Sequence, residues 1–238
     1  MYKKLKLLTL ILLSLSVYFI YNKENKNNLI YITIGDSLSL GENSYGGINY
    51  GYSDYFKDYL KKENKLLVYN KSYTSKTKTI TELYNDLLVD EVITIDTENY
   101  NIRRLLSDAD IVSISIGLND IILEANKEKY LTEYKEDRII KNIIDKYKIL
   151  IKEIKKYYKK EIYIIGYYEN NTKYDEMLKK INKKYKKLAG EQNDIFIDTE
   201  FLSNNNKYFD NPDSYYPNNL AYKEISRKII EEYKKKNE

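Results

Sequence analysis

Five short apolar runs recur along the chain, at residues 29–34, 66–70, 111–116, 161–165 and 195–198, and the segments between them carry helical periodicity. That alternation predicts a parallel sheet whose strands are joined by crossover helices. Tyr52, Tyr55, Phe56, Tyr59 and Leu60 share one helical face, and Ile139, Ile143, Tyr147, Ile151 and Ile154 share another on a long central helix. Met177, Ile181, Tyr185 and Leu188 mark a third stripe, and Leu220, Ile225, Ile229 and Tyr233 a fourth; all four are read as core. Residues 92–102 read as a small hairpin insertion. A length of 238 residues supports one domain with a sizeable core.

In an open parallel sheet, ligands bind outside the carboxyl ends of the strands. The chain has only eight glycines, and they gather there: Gly35, Gly41, Gly46, Gly47 and Gly51 follow the first run, Gly117 the third and Gly166 the fourth. A backbone-lined cleft is expected at that end. With 40 Lys and Arg against 36 Asp and Glu the net charge is only +4, so no nucleic-acid surface is expected. The chain has neither Cys nor His, which excludes a thiolate nucleophile, a zinc-thiolate site and an imidazole base. Carboxylates clustered at ligand spacing are missing as well, so no metal and no other cofactor is expected.

Residues 1–28 read as a signal or membrane anchor with a short linker, ahead of a folded domain at 29–238. Lys3, Lys4 and Lys6 precede fifteen mostly apolar residues from Leu7 to Tyr21, and a polar run follows from Asn22 to Asn28. The apolar stretch shows no small-x-small cleavage site, which favours an uncleaved anchor over a removed signal peptide. Either way the domain is expected outside the cytoplasm, as a monomer, membrane-tethered or secreted after cleavage.

Three motifs sit where chemistry is expected. The first run ends in Gly35-Asp36-Ser37-Leu38, the third in Gly117-Leu118-Asn119-Asp120, and Asp213-Ser214-Tyr215-Tyr216-Pro217-Asn218 precedes the last helical stripe. A serine at a tight strand exit presents its hydroxyl to the cleft and becomes nucleophilic once a base takes its proton. In this order and placement the motifs resemble those of the SGNH or GDSL serine ester hydrolases, over residues 29 to 235. The resemblance implies a three-layer α/β/α sandwich with a five-stranded parallel sheet, of flavodoxin-like type. It also implies Ser37 as nucleophile, with its own N–H, the Asn119 side chain and a third backbone N–H holding the oxyanion. That third donor falls in a loop without glycine, where Thr77 is the expected equivalent and Ser75 the alternative. Asp213 matches the family Asp, and Tyr216 stands where the family has its general-base His.

Tyr216 limits the functional expectation. With a phenol pKa near 10, only ~0.1% is phenolate at pH 7, and a neutral phenol is a very poor base. Loss of the base from a serine triad can cost ~10⁶ in turnover, which takes an ordinary ~10 s⁻¹ to ~10⁻⁵ s⁻¹. Lys71 and Lys76 lie in sequence where a lysine could replace it. Two readings follow: a hydrolase of acyl or acetyl esters of lipid or cell-envelope glycan, or a degenerate member that binds an envelope ligand or protein without turnover.

Overall fold

The computed structural model describes residues 28–95, 97–170, 172–211 and 214–237. In chain order the elements are β1 (Leu29–Gly35), α1 (Ser37–Leu40), α2 (Tyr52–Lys62), β2 (Leu66–Asn70), α3 (Ile80–Val89), β3 (Val92–Ile95) and β4 (Glu98–Asn101). They continue with α4 (Ile102–Asp108), β5 (Ile111–Ser115), α5 (Leu118–Asn126), α6 (Glu133–Tyr157), β6 (Ile162–Ile165), α7 (Asp175–Glu191) and β7 (Ile195–Ile197). Two 3-10 turns, Glu200–Leu202 and Asn206–Tyr208, lead into α8 (Asn219–Asn237).

The main sheet is parallel throughout and runs β2-β1-β5-β6-β7. Counted within this sheet, the order is that of a flavodoxin-like doubly wound fold, and its switch point lies between β1 and β5. Every residue of β5 and β6 is buried, as expected of strands covered on both faces. One face packs α2 and α8 through Tyr52, Phe56, Leu60, Tyr222, Ile225 and Ile229. The other face carries α3 to α7, with Leu83, Leu106, Ile121, Ile143, Leu150 and Ile181 in its core. The three-layer α/β/α sandwich is therefore observed, and the expected strands coincide with the five in the sheet to within one residue. The insertion at 92–102 is an antiparallel hairpin of β3 and β4.

One stripe residue does not face the core. Leu220 is 45% exposed in the first turn of α8, where Ala221 and Tyr222 turn inward instead. Residues 1–27, with the expected anchor, lie outside the described residues, and so do Pro212 and Asp213. Among the described residues no helix is long and apolar enough to cross a membrane.

The switch point depends on a backbone contact. Gly35 has φ +125° at the last residue of β1, and a Cβ built there would lie 2.0 Å from the Ser115 carbonyl oxygen of β5. The same carbonyl accepts the Asp36 N–H at 2.8 Å, which turns the chain out of the sheet and into α1. Gly35→Ala combines a conformation that L-residues avoid with a clash against backbone, and should cost on the order of 3 kcal/mol or more. Urea unfolding of the variant beside the wild type measures this; equal midpoints would show that the contact does not constrain the fold.

Candidate active site

Ser37 is the first residue of α1, immediately beyond the end of β1. Asp36 caps this short helix, its Oδ1 accepting the Leu38 N–H at 3.2 Å, and Gly41 ends it in the left-handed conformation. As a first-turn residue, Ser37 carries an N–H with no intrahelical acceptor. The Ser37 side chain is 0% exposed. Among the described residues its Oγ makes no hydrogen bond of ordinary geometry.

Asp36 is equally buried and ties three strands together. Its Oδ1 also accepts the Ser115 hydroxyl at 3.1 Å, and its Oδ2 accepts the Tyr167 hydroxyl at 3.2 Å. Tyr167 in turn accepts the Leu118 N–H at 3.0 Å, so one phenol joins the ends of β1, β5 and β6. Burial pushes the Asp36 carboxyl up to about 7, against the hydrogen bonds from Leu38, Ser115 and Tyr167 that favour the charged form.

Tyr216 is near enough to Ser37 to be influenced by its hydroxyl. Its loop is held by Ser44, whose hydroxyl donates to the Tyr216 carbonyl at 2.6 Å, and by the Tyr216 N–H donating to Ser214 Oγ at 3.1 Å. Asn218 accepts the Ala221 N–H at 3.1 Å and so caps α8 directly after the loop. Burial raises the phenol above its ordinary pKa, the neighbouring Ser37 hydroxyl lowers it, and the charge of Glu42 raises it further. The contact with Ser37 thus biases the phenol without amounting to a formed hydrogen bond. A raised pKa makes phenolate at neutral pH rarer still than in a free tyrosine. Asp213, expected to pair with this position, lies outside the described residues.

Glu42 is the residue that sequence reasoning missed. It opens the loop after α1, is only 6% exposed, and places its carboxylate beside the Tyr216 phenol. Its Oε1 lies 3.4 Å from Lys76 Nζ, while its Oε2 is buried with no hydrogen bond of ordinary geometry among the described residues. Burial raises the Glu42 carboxyl, with Lys76 and then Tyr216 opposing. The loop that carries it is closed by backbone contacts: Glu42 bridges Ile48, and a Cβ on Gly41 would lie 2.8 Å from the Gly51 nitrogen. The crowding of glycines from 41 to 51 is the sequence trace of that loop, but no spacing rule singles out its one acid.

The expected oxyanion donors are arranged differently from one another. The Asn119 amide donates to the carbonyls of Lys76 and Lys78, 3.0 Å from each. The Ser75 N–H donates to the Gly35 carbonyl at 3.1 Å, and the Thr77 N–H reaches Ser75 Oγ at 3.4 Å. Asn119 therefore sits against the loop that holds Thr77, and Ser75 is the more firmly engaged of the two candidates. Asp120 supports the same junction, its Oδ2 accepting the Ile80 N–H at 2.9 Å. Of the two lysines, Lys71 pairs with Asp54 at 2.8 Å, and Lys76 points to Glu42 and the Gly46 carbonyl. Among the described residues no three His, Cys, Asp or Glu side chains gather in a way that could hold a metal ion.

The family model for GDSL-like lipases and acylhydrolases matches residues 31–229. The chain belongs to this family. A lipase from a goat rumen metagenome superposes with a TM-score of 0.69 at 18% identity, over 86% of this chain and 97% of the other. An acetylxylan esterase from Geobacillus stearothermophilus superposes with a TM-score of 0.61 at 21% identity, over 87% of this chain and 95% of the other. Structures of catalytic mutants of that esterase alter a serine, an aspartate and a histidine three residues beyond the aspartate. No match is found among curated protein sequences.

Asp36 makes the stability of this GDSL-family domain depend on pH with a defined sign. Unfolded, the carboxyl titrates near ~3.9; folded, it titrates at about 7. Between these values the folded state holds more protons, so this contribution to stability is complete below the unfolded value and is lost as pH rises through about 7. Asp36→Asn removes that titration. Thermal melts from pH 4 to pH 8 should show the variant gaining on the wild type as pH rises, and parallel curves would refute the assignment.

Proposed function

We propose that the protein is a serine ester hydrolase acting on acyl or acetyl esters of lipid or cell-envelope glycan. Ser37 is the nucleophile in this reading, and the observation that carries it is its buried side chain in the first turn beyond β1, at the switch point of a GDSL-family sheet. The Ser37 N–H, the Asn119 amide and the Thr77 N–H hold the oxyanion, and Asp213-x-x-Tyr216 takes the place of the family Asp-x-x-His pair. Asn119 serves the oxyanion once an acyl oxygen replaces one of its two carbonyl partners; removing such a donor typically costs ~10²–10³ in rate. The proposal includes a position outside the cytoplasm at the membrane surface, supported by the lysines ahead of the apolar run from Leu7 to Tyr21.

A second reading is favoured by the closure of the site. Ser37 has no exposed surface and both Asn119 donors are engaged, which suits a degenerate member that binds an envelope ligand or a protein without turnover. A fluorophosphonate probe and a short nitrophenyl ester separate the two. The hydrolase reading expects Ser37-dependent labelling and turnover well below the ~10 s⁻¹ of an ordinary enzyme. Both are lost in Ser37→Ala, and Tyr216→His, which supplies an imidazole, should raise turnover at least about tenfold. Absence of labelling and turnover in both the wild type and Tyr216→His would overturn the hydrolase reading.

A further inference from the structure

Resting on the hydrolase reading, we infer that Glu42 is the terminal proton acceptor of the site, drawing the Ser37 proton through the Tyr216 hydroxyl. Three side chains support this by position. The Tyr216 phenol is close enough to both Ser37 and Glu42 for each to act on its titration, and its loop is tied to the Glu42 loop by the Ser44 hydroxyl. Ser37 Oγ and Glu42 Oε2 are both buried without a hydrogen bond of ordinary geometry among the described residues, the one able to donate and the other to accept. The geometry is also fixed twice over: the Ser44 hydroxyl ties the Glu42 loop to the Tyr216 carbonyl, and the Tyr222 hydroxyl donates to the Glu42 carbonyl at 2.6 Å.

The arrangement removes the difficulty of a phenol as base. A tyrosine that must hold the serine proton alone must first become phenolate, which burial and the Glu42 charge both oppose. A tyrosine that gives its own proton to a carboxylate while accepting another never carries a full charge, so the raised phenol pKa is no obstacle. Lys76, 3.4 Å from Glu42, favours the ionised carboxylate and returns some of the acidity that burial takes away.

The steps balance without an added reagent. The Ser37 oxygen forms a bond to the acyl carbon as its proton passes to Tyr216 and the phenolic proton passes to Glu42, and the carbonyl electrons move onto the oxyanion. The oxyanion collapses, the bond to the alcohol oxygen breaks, and the alcohol leaves with a proton returned along the same path. Water then attacks the acyl carbon, giving its proton by the same relay, and Ser37 regains a proton as the acid departs.

The test compares the Ser37-dependent kcat/KM for a short nitrophenyl ester against pH in the wild type, Glu42→Gln, Tyr216→Phe and the double variant. In the wild type kcat/KM should rise with pH as Glu42 loses its proton, above the ordinary carboxylate range. The charged and titratable groups facing this relay are Lys76, Asp36, Tyr168, Tyr215 and Tyr222. Asp36, at about 7, supplies a separate inflection that persists in Glu42→Gln, whereas the Glu42 rise disappears. Each single variant should lose at least ~10²-fold, and the double should be no worse than the poorer single. An unchanged rate and profile in Glu42→Gln, or an unchanged rate in Tyr216→Phe should Glu42→Gln fail to fold, overturns the relay while Ser37-dependent turnover survives. Loss of Ser37 labelling and turnover in the wild type overturns the hydrolase reading and the relay together.

Discussion

Asp36 holds a carboxyl group with no exposed surface at the switch point of the sheet, and its donors come from three segments: Leu38 in α1, Ser115 at the end of β5 and Tyr167 beyond β6. A buried carboxyl is tolerated because it is saturated with donors, and burial still wins enough to hold it partly protonated near neutrality. What this gains is position. The turn that lifts Ser37 out of β1 can take only one path, between the Ser115 carbonyl that Gly35 admits and the carboxyl that caps α1. The Leu118 N–H, held by the same Tyr167, brings α5 and Asn119 into register with that turn.

The sheet interior uses hydroxyls where most parallel sheets use aliphatic groups. Tyr31 pairs with Ser113, Ser113 with Thr33, Thr33 with Tyr52 and Tyr52 with Ser39, in one buried chain running along β1 toward the site. Ser39 closes it by donating to the Ile34 carbonyl and accepting the Ser115 N–H. Each hydroxyl is satisfied by the next, so a tyrosine-rich composition enters the core at little cost. The same composition makes any one tyrosine hard to read. Tyr167 lies in sequence as unremarked as its neighbour Tyr168, yet one completes the Asp36 cluster and the other stacks on Tyr215 at 5.2 Å.

That contrast explains what could be read in the sequence and what could not. The strands were legible because a strand buried on both faces must be an apolar run, and the glycines because the Gly35 and Gly41 positions leave no room for a Cβ. Ser37, Asn119 and Tyr216 were singled out by motifs that resemble those of a known family, each placed at a strand end or ahead of the last helix. Glu42 was not. It comes near Tyr216 only through the closure of a loop whose ends, Gly41 and Gly51, touch, and loop closure leaves no periodicity behind. Leu220 shows the same limit in reverse: its helical spacing suits the core, but the first turn of α8 rotates it outward.

The closure of the site and the question of the base are one physical problem. In the proposed hydrolase reading an acyl carbon must approach Ser37 Oγ to bonding distance, and because Ser37 has no exposed surface, some of the packing over it must give way first. Tyr216 and Glu42 are among the groups near Ser37, and Ser44 fastens their two loops together. Substrate entry that displaced Tyr216 entirely would remove the serine from its proton path, whereas entry from the Asn119 side would leave the path intact and exchange a carbonyl partner of the amide for the acyl oxygen. Under the proposed hydrolase reading, productive binding is expected from the Asn119 side, where the Ser75 N–H donates to the Gly35 carbonyl and so joins the loop from Ser75 to Lys78 to the Ser37 turn. Under the proposed binding reading, a ligand that opens the Tyr216 side is held without reaction. One scaffold can accordingly serve either role, depending on which wall of the site yields.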